Sequence, residues 1–572
     1  MDYLGLKEHA TIFNDIEGLG FIENEIVKKN IKNKESNLTK EVKKTTKKEI
    51  LDSLNSLLNS FDFIKETMQK HIIADDTDFV LQQHLFLSNG YIVIDIEDNI
   101  LKVVNYEKQV FIIDMDKISK HIYSVIIEAH SPRKILVDNR SIFTSKYLEG
   151  LSINSPYDIS HIVKMFYKDK FSDLKELIKL FTKEIVDDKN LLLYNLFQIK
   201  TSLNDILSNY SLMTLINKEM EFISVMCKIE SVGLPFSKEA YEEFQKGMLE
   251  GYESTALELK KTYDADFRGK LDNKDEFLDL LIEKKIYSAN KDFWIPEENE
   301  NLHGFLVSKA LVEKYKDITL DAPDDRLFLK YDFYDDYGNV KSNFEADGFY
   351  ITCKEGKSIV AGTFVDLYLR IFVSLTNLEY VVTSMNENKF TEELANGAFK
   401  FISPASCFNA KNFLRAYIEG CFETLELKEY FFEKLDTKFE EEGLANLQSI
   451  FDSSTNKIIK FIKKFYRDQS RDKRFCFTEE SSLHQYIKMT EADIFKTAVI
   501  DVNGAVTAFN SSNKYKIHIV GIQENKIILE CDNNALNIAV DILNRKLPKA
   551  FDSYVRKVQA VCNVVSSNKL KA

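Results

Sequence analysis

Four short apolar runs between residues 91 and 139 constrain the fold more than any other feature of the chain. They are Tyr91-Ile92-Val93-Ile94-Asp95, Leu101-Lys102-Val103-Val104, Val110-Phe111-Ile112-Ile113-Asp114 and Lys134-Ile135-Leu136-Val137-Asp138-Asn139. Each is too short for an independent helix and too apolar for a solvated loop, so each predicts a buried strand. Helical patterns lie between and after them, as in Asp173 to Phe181. Strands first, then strands alternating with helices, predict an α/β domain that ends near residue 205.

The chain then changes character. From about 210 to 290 it is mostly amphipathic helix, as in Met220 to Glu230, where apolar residues recur every three or four positions. Gly233 stands where a helix C-cap is expected, and Pro235 follows. Beyond 340, Ser358-Ile359-Val360-Ala361 predicts a strand and long helical patterns fill 385–500. Tyr515 to Val520 and Lys526 to Glu530 predict a hairpin across Gln523-Glu524-Asn525, and a last helix is expected over about 534–547. With 7 prolines and 19 glycines in 572 residues, few long loops are expected. The length suggests about three to five domains.

Charge and cysteine usage narrow the class. The net charge is −14, so contact with phosphates would need local basic patches on an acidic body. One candidate is the lysine-dense stretch from Lys28 to Glu49, which reads either as a solvated helix or flexible arm or as a basic arm for nucleic acid or a partner. Met1-Asp2-Tyr3-Leu4 lacks a basic-then-apolar leader, and no run nears the roughly 18 apolar residues of a membrane span. The 7 cysteines form no Cys-x-x-Cys pair, which predicts reduced thiols in a cytoplasmic setting. Zinc spacings and Gly-rich phosphate loops are absent.

Five stretches, in order, resemble the family-A DNA polymerases of the bacterial DNA polymerase I type. Glu219-Met220, Val225, Lys228-Ile229-Glu230 and Gly233 resemble the helix that opens the polymerase region, with Ser237 at the position of the family's aspartate. Ser358 to Arg370 is similar to the first catalytic motif, an apolar strand leading to Asp-Tyr-Ser-x-Ile-Glu-x-Arg. Lys411 to Gly420 resembles the nucleotide-binding helix. Lys488-Met489-Thr490-Glu491-Ala492-Asp493-Ile494-Phe495-Lys496 is similar to Gln-Gly-Thr-Ala-Ala-Asp-Ile-Ile-Lys, and the turn at Gln523-Glu524-Asn525 stands where the family carries His-Asp-Glu. The resemblance implies a multidomain α+β and α/β protein. A helical, Lys-rich segment of 1–78 would precede a ribonuclease H-like 3′–5′ exonuclease-type domain of 79–208. A right-hand polymerase-like domain of 209–572 would follow, with the thumb at about 209–335, the palm at about 336–400 and 500–572, and the fingers at about 401–499.

The same resemblance implies that the catalytic carboxylates are largely gone. Two-metal nucleotidyl transfer relies on carboxylate oxygens to hold magnesium. Thr363 stands at the first aspartate, Glu524 at the second, Tyr368 at the acid of the first motif, and Glu419 at the tyrosine under the incoming nucleotide, where a carboxylate would repel triphosphate. Arg370 and Lys411 remain as nucleotide-binding remnants. Asp366, three residues past Thr363, would point from the opposite face of an extended segment. In the exonuclease-like region Asp95 and Glu97 match Asp-x-Glu, whereas Phe143 and Gln198 replace aspartates, Gln198 closing a Tyr194-x-x-x-Gln198 version of the last motif. No intact metal site is expected, Asp95 and Glu97 being the one pair able to hold a residual ion.

The leading expectation is a catalytically degenerate polymerase-like protein that binds template–primer or single-stranded DNA, or scaffolds replication or virion proteins, without membrane contact. The DNA contacts expected are Lys457, Lys460, Lys463, Lys464 and Arg467 on one helix, then Arg471, Lys473 and Arg474. No cofactor is expected. The alternatives are a divergent but working DNA-directed DNA polymerase that uses Mg2+ and a purely structural protein. Lysine- and asparagine-rich composition suits an AT-rich genome, such as that of a phage, which would make the chain cytoplasmic or virion-associated.

Overall fold

The computed structural model describes residues 47–60, most of 63–167, 188–268, 325–333, 337–342, most of 351–399, 470–474, 483–567 apart from Glu524, and isolated positions between those stretches. The chain divides into a larger compact unit of Lys48–Phe267, Glu300–Leu375 and Phe461–Ala572, and a smaller one of Met1–Lys47, Arg268–Asn299 and Thr376–Lys460. No helix among the described residues is long and apolar enough to cross a membrane.

The first half of the larger unit is built on a six-stranded sheet. Helix α1 (Lys47–Ser60) leads to β1 (Gln69–Ile73), α2 (Asp76–Leu87), β2 (Tyr91–Glu97), β3 (Ile100–Val104) and β4 (Gln109–Asp114). Helix α3 (Lys120–Glu128), β5 (Arg133–Leu136), β6 (Pro156–Asp158), α4 (Ile159–Tyr167) and α5 (Lys189–Asn209) complete it. The strand order is β1-β4-β3-β2-β5-β6. Strand β3 runs antiparallel to both neighbours, and the other pairings are parallel. Both faces are covered, which is why β2 reads as an unbroken apolar run rather than an alternating one. Val93, Val104, Val110 and Ile135 join one core with α1, α4 and α5. Neighbouring residues turn to the other side, where Phe86 meets Phe111 edge-on at 5.1 Å.

The sequence places only helix before residue 80, and β1 corrects that. Its segment, Gln-Lys-His-Ile-Ile, lies at the sheet edge with most of its side chains toward solvent. It therefore carries no alternating apolar signal, and its pairing to β4 rather than its composition makes it a strand.

The second half centres on an antiparallel sheet. Helix α6 (Met213–Val232) ends on Gly233, whose φ of 71° and N–H bond to the Ile229 carbonyl close the helix as its sequence predicts. After β7 (Leu234–Pro235) and α7 (Lys238–Tyr263) come β8 (Arg326–Leu327), β9 (Tyr331–Asp332), β10 (Lys341–Ser342), β11 (Lys357–Phe364) and α8 (Leu367–Thr376). The smaller unit contains α9 (Glu379–Asn386) and α10 (Phe390–Phe399). The larger unit resumes with α11 (Leu483–Ser512), β12 (Ile517–Gln523), β13 (Lys526–Asp532), α12 (Leu536–Asp552) and β14 (Cys562–Ser567). Strands pair in the order β12-β13-β11-β14. Helix α12 lies against one face of this sheet, because a Cβ on Gly362 would come within 2.8 Å of the Leu547 side chain and 3.2 Å of Leu543.

Candidate functional site

Two centres follow from the sequence, one at the end of each sheet. In the second sheet Thr363 stands in the last turn of the pleat of β11. Its cross-strand partners are Lys526 on β13 and Asn563 on β14, and Lys526 in turn pairs with Gln523 on β12. Directly opposed residues share a face. Because Gly362 faces α12, Thr363 and this row face away from it. The row therefore presents an amide, an ammonium, a hydroxyl and a second amide, with no carboxylate among its described residues. Glu524, between Gln523 and Asn525 in sequence, lies outside the described residues; the Phe364 N–H donates to the Asn525 carbonyl at 3.1 Å.

The chain after Thr363 differs from the extended segment expected. Strand β11 stops at Phe364, and Asp366 turns into the left-handed region at φ 51°, its carbonyl accepting the Arg370 N–H at 2.9 Å. Asp366 thus belongs to a turn, not to either strand face. Arg370 is buried, and its guanidinium donates to the Val365 carbonyl at 3.1 Å and the Gln559 carbonyl at 2.9 Å. It ties α8 to the segment before β14. Tyr368 is also buried. Its hydroxyl meets His484 Nδ1 at 2.9 Å, and the Lys488 ammonium lies over its ring. Lys411 is half-buried in a helical stretch of the smaller unit. Glu419, Phe143, Lys457, Lys460, Lys463, Lys464 and Arg467 lie outside the described residues.

In the first sheet, Asp95 and Glu97 share the face of β2 that α5 covers. Both converge on one group, the Lys189 ammonium, at 2.9 Å from Asp95 Oδ2 and 3.0 Å from Glu97 Oε2. Lys102, paired across from Asp95 on β3, reaches Glu97 at 3.3 Å. The hydrogen bond from Lys189, then that from Lys102, holds the Glu97 carboxyl below its usual range. Half-burial would lower the Lys189 ammonium, but its bonds to Asp95 and Glu97 outweigh this and raise it. Lys189 lies outside every motif of the sequence and is brought to the pair by the fold alone.

Helix geometry sets Gln198, expected at the end of the last exonuclease motif, away from the Asp95–Glu97 pair. Helix α5 runs antiparallel to β2: Lys189 is level with Asp95 and Glu97, while the Lys200 ammonium lies over the Tyr91 ring at 3.5 Å. That is about 16 Å of helix against about 13–20 Å of strand. Gln198 is exposed and level with the start of β2, roughly 13 Å along the axis from Lys189. Tyr194 is buried and donates to the Tyr106 carbonyl at 3.3 Å.

Three motif residues meet in a place the sequence did not suggest. Glu219 of α6 is fully buried and accepts from Arg474 at 2.5 Å, from Lys496 of α11 at 2.9 Å, and lies 3.2 Å from His161 Nε2 of α4. Arg474 also bonds Asp493 at 2.9 Å, and the Ser470 hydroxyl caps Asp493 at 2.5 Å. This overturns the expectation of Arg474 as a DNA contact, since its guanidinium is enclosed between two acids. Arg471 is exposed but donates to the Ser553 carbonyl at 2.6 Å, and Lys473 is partly buried in a left-handed turn. Burial would raise Glu219, but the charges of Arg474 and Lys496 carry it well below the usual value. Burial lowers Lys496 to about 8 despite its contact with Glu219.

Among the described residues, no group of three or more His, Cys, Asp or Glu side chains is arranged to hold a metal ion. At the first centre the carboxylate pair is bridged by lysine, and at the second the row Gln523–Lys526–Thr363–Asn563 carries no carboxylate.

No family model and no curated protein matches the sequence. Among solved structures, the chain is similar to the POL domain of Pol1 from M. smegmatis, determined in complex with DNA primer-template and dNTP. The TM-score is 0.62 at 12% identity, and the match covers 84% of this chain and 95% of that one. At that identity the likeness is one of fold: the chain has a mixed α/β, polymerase-like architecture.

Proposed function

We propose that the chain is a catalytically degenerate relative of the family-A DNA polymerases that holds DNA without extending it. The row Gln523–Lys526–Thr363–Asn563 carries this reading. In a polymerase-like palm that row would need carboxylates to offset two divalent ions. Here a lysine is the cross-strand neighbour of a threonine. The first sheet supports an exonuclease-type domain: β4-β3-β2-β5-β6, with only β3 reversed, is the order expected of a ribonuclease H-like domain, and its carboxylates are engaged by Lys189. The solved neighbour's primer-template supports DNA as the partner.

Primer extension with Mg2+ or Mn2+ tests the first half. No product is expected, and Thr363→Asp alone should restore none, because Lys526 remains beside it. Extension by the unaltered chain, abolished by Glu524→Gln, would establish a working polymerase instead. A binding titration with labelled primer-template tests the second half. Affinity should fall steeply with salt, as phosphate contacts require, and absence of binding at low salt would refute the DNA-holding role.

A further inference from the structure

We propose that Lys189 is a resident cation that closes the Asp95–Glu97 carboxylate pair to divalent metal ions. Two carboxylates directed at one point form a cation site by charge alone. In this chain the cation is covalently attached, with its ammonium 2.9 Å and 3.0 Å from the two acids. Lys102 supplies a second positive charge to Glu97 from the facing strand. Two lysines therefore balance two carboxylates, and an entering divalent ion would meet a neutral cluster with two ammonium groups already in contact range. Magnesium also demands near-octahedral oxygen coordination, which a site whose two acids already stand in ion-pair contact with ammonium groups does not offer.

The position of Lys189 argues that it serves this contact rather than its helix. It is the first residue of the 21-residue α5, capped by the Asp188 side chain. A cation at a helix N-terminus opposes the macrodipole. The flanking carboxylates offset that opposition, and the helix by itself gains nothing from a lysine there. The fold holds α5 in this register by other means, since Asn195 bonds the Ile64 backbone through both its amide atoms and Leu192, Leu193 and Leu196 are buried. The ammonium is thus delivered by a rigid element to a fixed point on the strand.

The inference stands on this geometry and not on DNA binding, so its test is separable from that of the proposed function. Mn2+ uptake by the full chain, followed by the loss of the free-ion paramagnetic resonance signal, is the measurement. The unaltered chain and Asp95→Asn should bind the same number of ions. Lys189→Met should bind one more per chain, with at least tenfold tighter half-saturation than any uptake by the unaltered chain. Adding Asp95→Asn to Lys189→Met should remove that ion. If Asp95→Asn lowers uptake by the unaltered chain, the pair is already a metal site and the proposal fails. It fails equally if folded Lys189→Met gains no ion. Circular dichroism verifies folding; should Lys189→Met not fold, Lys189→Gln replaces it, and the comparison of the unaltered chain with Asp95→Asn still decides.

Discussion

Two of the lysine–carboxylate clusters among the described residues have nearly the same chemistry, and burial makes them behave oppositely. Lys189 bridges Asp95 and Glu97 at the half-exposed end of a strand, and its partners raise its proton affinity. Lys496 touches Glu219 at the same 2.9 Å, yet its side chain is 1% exposed and its affinity falls to about 8. The difference is desolvation. At the strand end, water shares the stabilisation of the ammonium. In the interior only Glu219 and more distant acids remain, and Glu219 also serves Arg474 and His161.

The largest effect should come from removing the hub of the buried cluster. Glu219→Ala would leave Lys496 charged without a contacting acid and Arg474 with Asp493 alone. Breaking a buried pair by removing one partner costs about 3–5 kcal/mol. Urea unfolding should show a loss of that order, and a loss under about 1 kcal/mol would mean that water already reaches the cluster. Glu219 and Lys496 lie in two of the stretches that resemble polymerase motifs, so the test also asks whether that resemblance marks a structural joint between α6, α11 and α4.

A pH series sharpens the comparison next. Between about 8 and the usual lysine value of 10.5, the unfolded chain still holds the Lys496 proton and the folded chain has released it. The unfolded state then binds more protons, so this group makes stability rise with pH across that window. The slope is at most about 1.4 kcal/mol per pH unit. Lys496→Met should remove that rise. A chain whose stability between pH 8 and 10.5 is unaffected by Lys496→Met would show that the buried lysine keeps its proton.

How far the sequence could anticipate these arrangements depends on whether a contact is local or long-range. Strands β2, β3, β4, β5, β11, β12 and β13 were legible because each is a short apolar run that must be buried, and Gly233 because a left-handed helix end needs glycine. Strand β1 was not legible, since an exposed edge has no pattern, and β14 (Cys562–Ser567) was missed as well, its described side chains all at least partly exposed. At the candidate sites, motif order put Asp95, Glu97 and Thr363 toward strand ends, where β2 and β11 carry them. Lys189 could not be placed that way, because it acts on residues more than 90 positions away through the register of α5 on β2. Arg474 was misread for a related reason. A cluster of Arg and Lys in sequence resembles a basic patch, and only the fold shows that Glu219, 255 positions away, encloses one member.

The smallest expected effect is on the stability contributed by Lys189. Partly exposed ion pairs contribute about 0–1 kcal/mol, and the unfavourable placement at a helix N-terminus removes part of even that. Lys189→Met should therefore change unfolding free energy near pH 7 by less than about 1 kcal/mol, several-fold less than Glu219→Ala. The pH dependence should have the opposite sense to that of Lys496. With its folded value raised, Lys189 keeps its proton above 10.5 after the unfolded chain has lost it. Its contribution is therefore complete below that pH and declines as pH rises through the folded value. Chemical-denaturation curves for Lys189→Met and the unaltered chain should run parallel from pH 7 to 10 and converge above it. A loss of 3 kcal/mol or more at pH 7 would show that the carboxylate pair is held in a strained, desolvated state, and the contrast between the two clusters would then be one of degree rather than of kind.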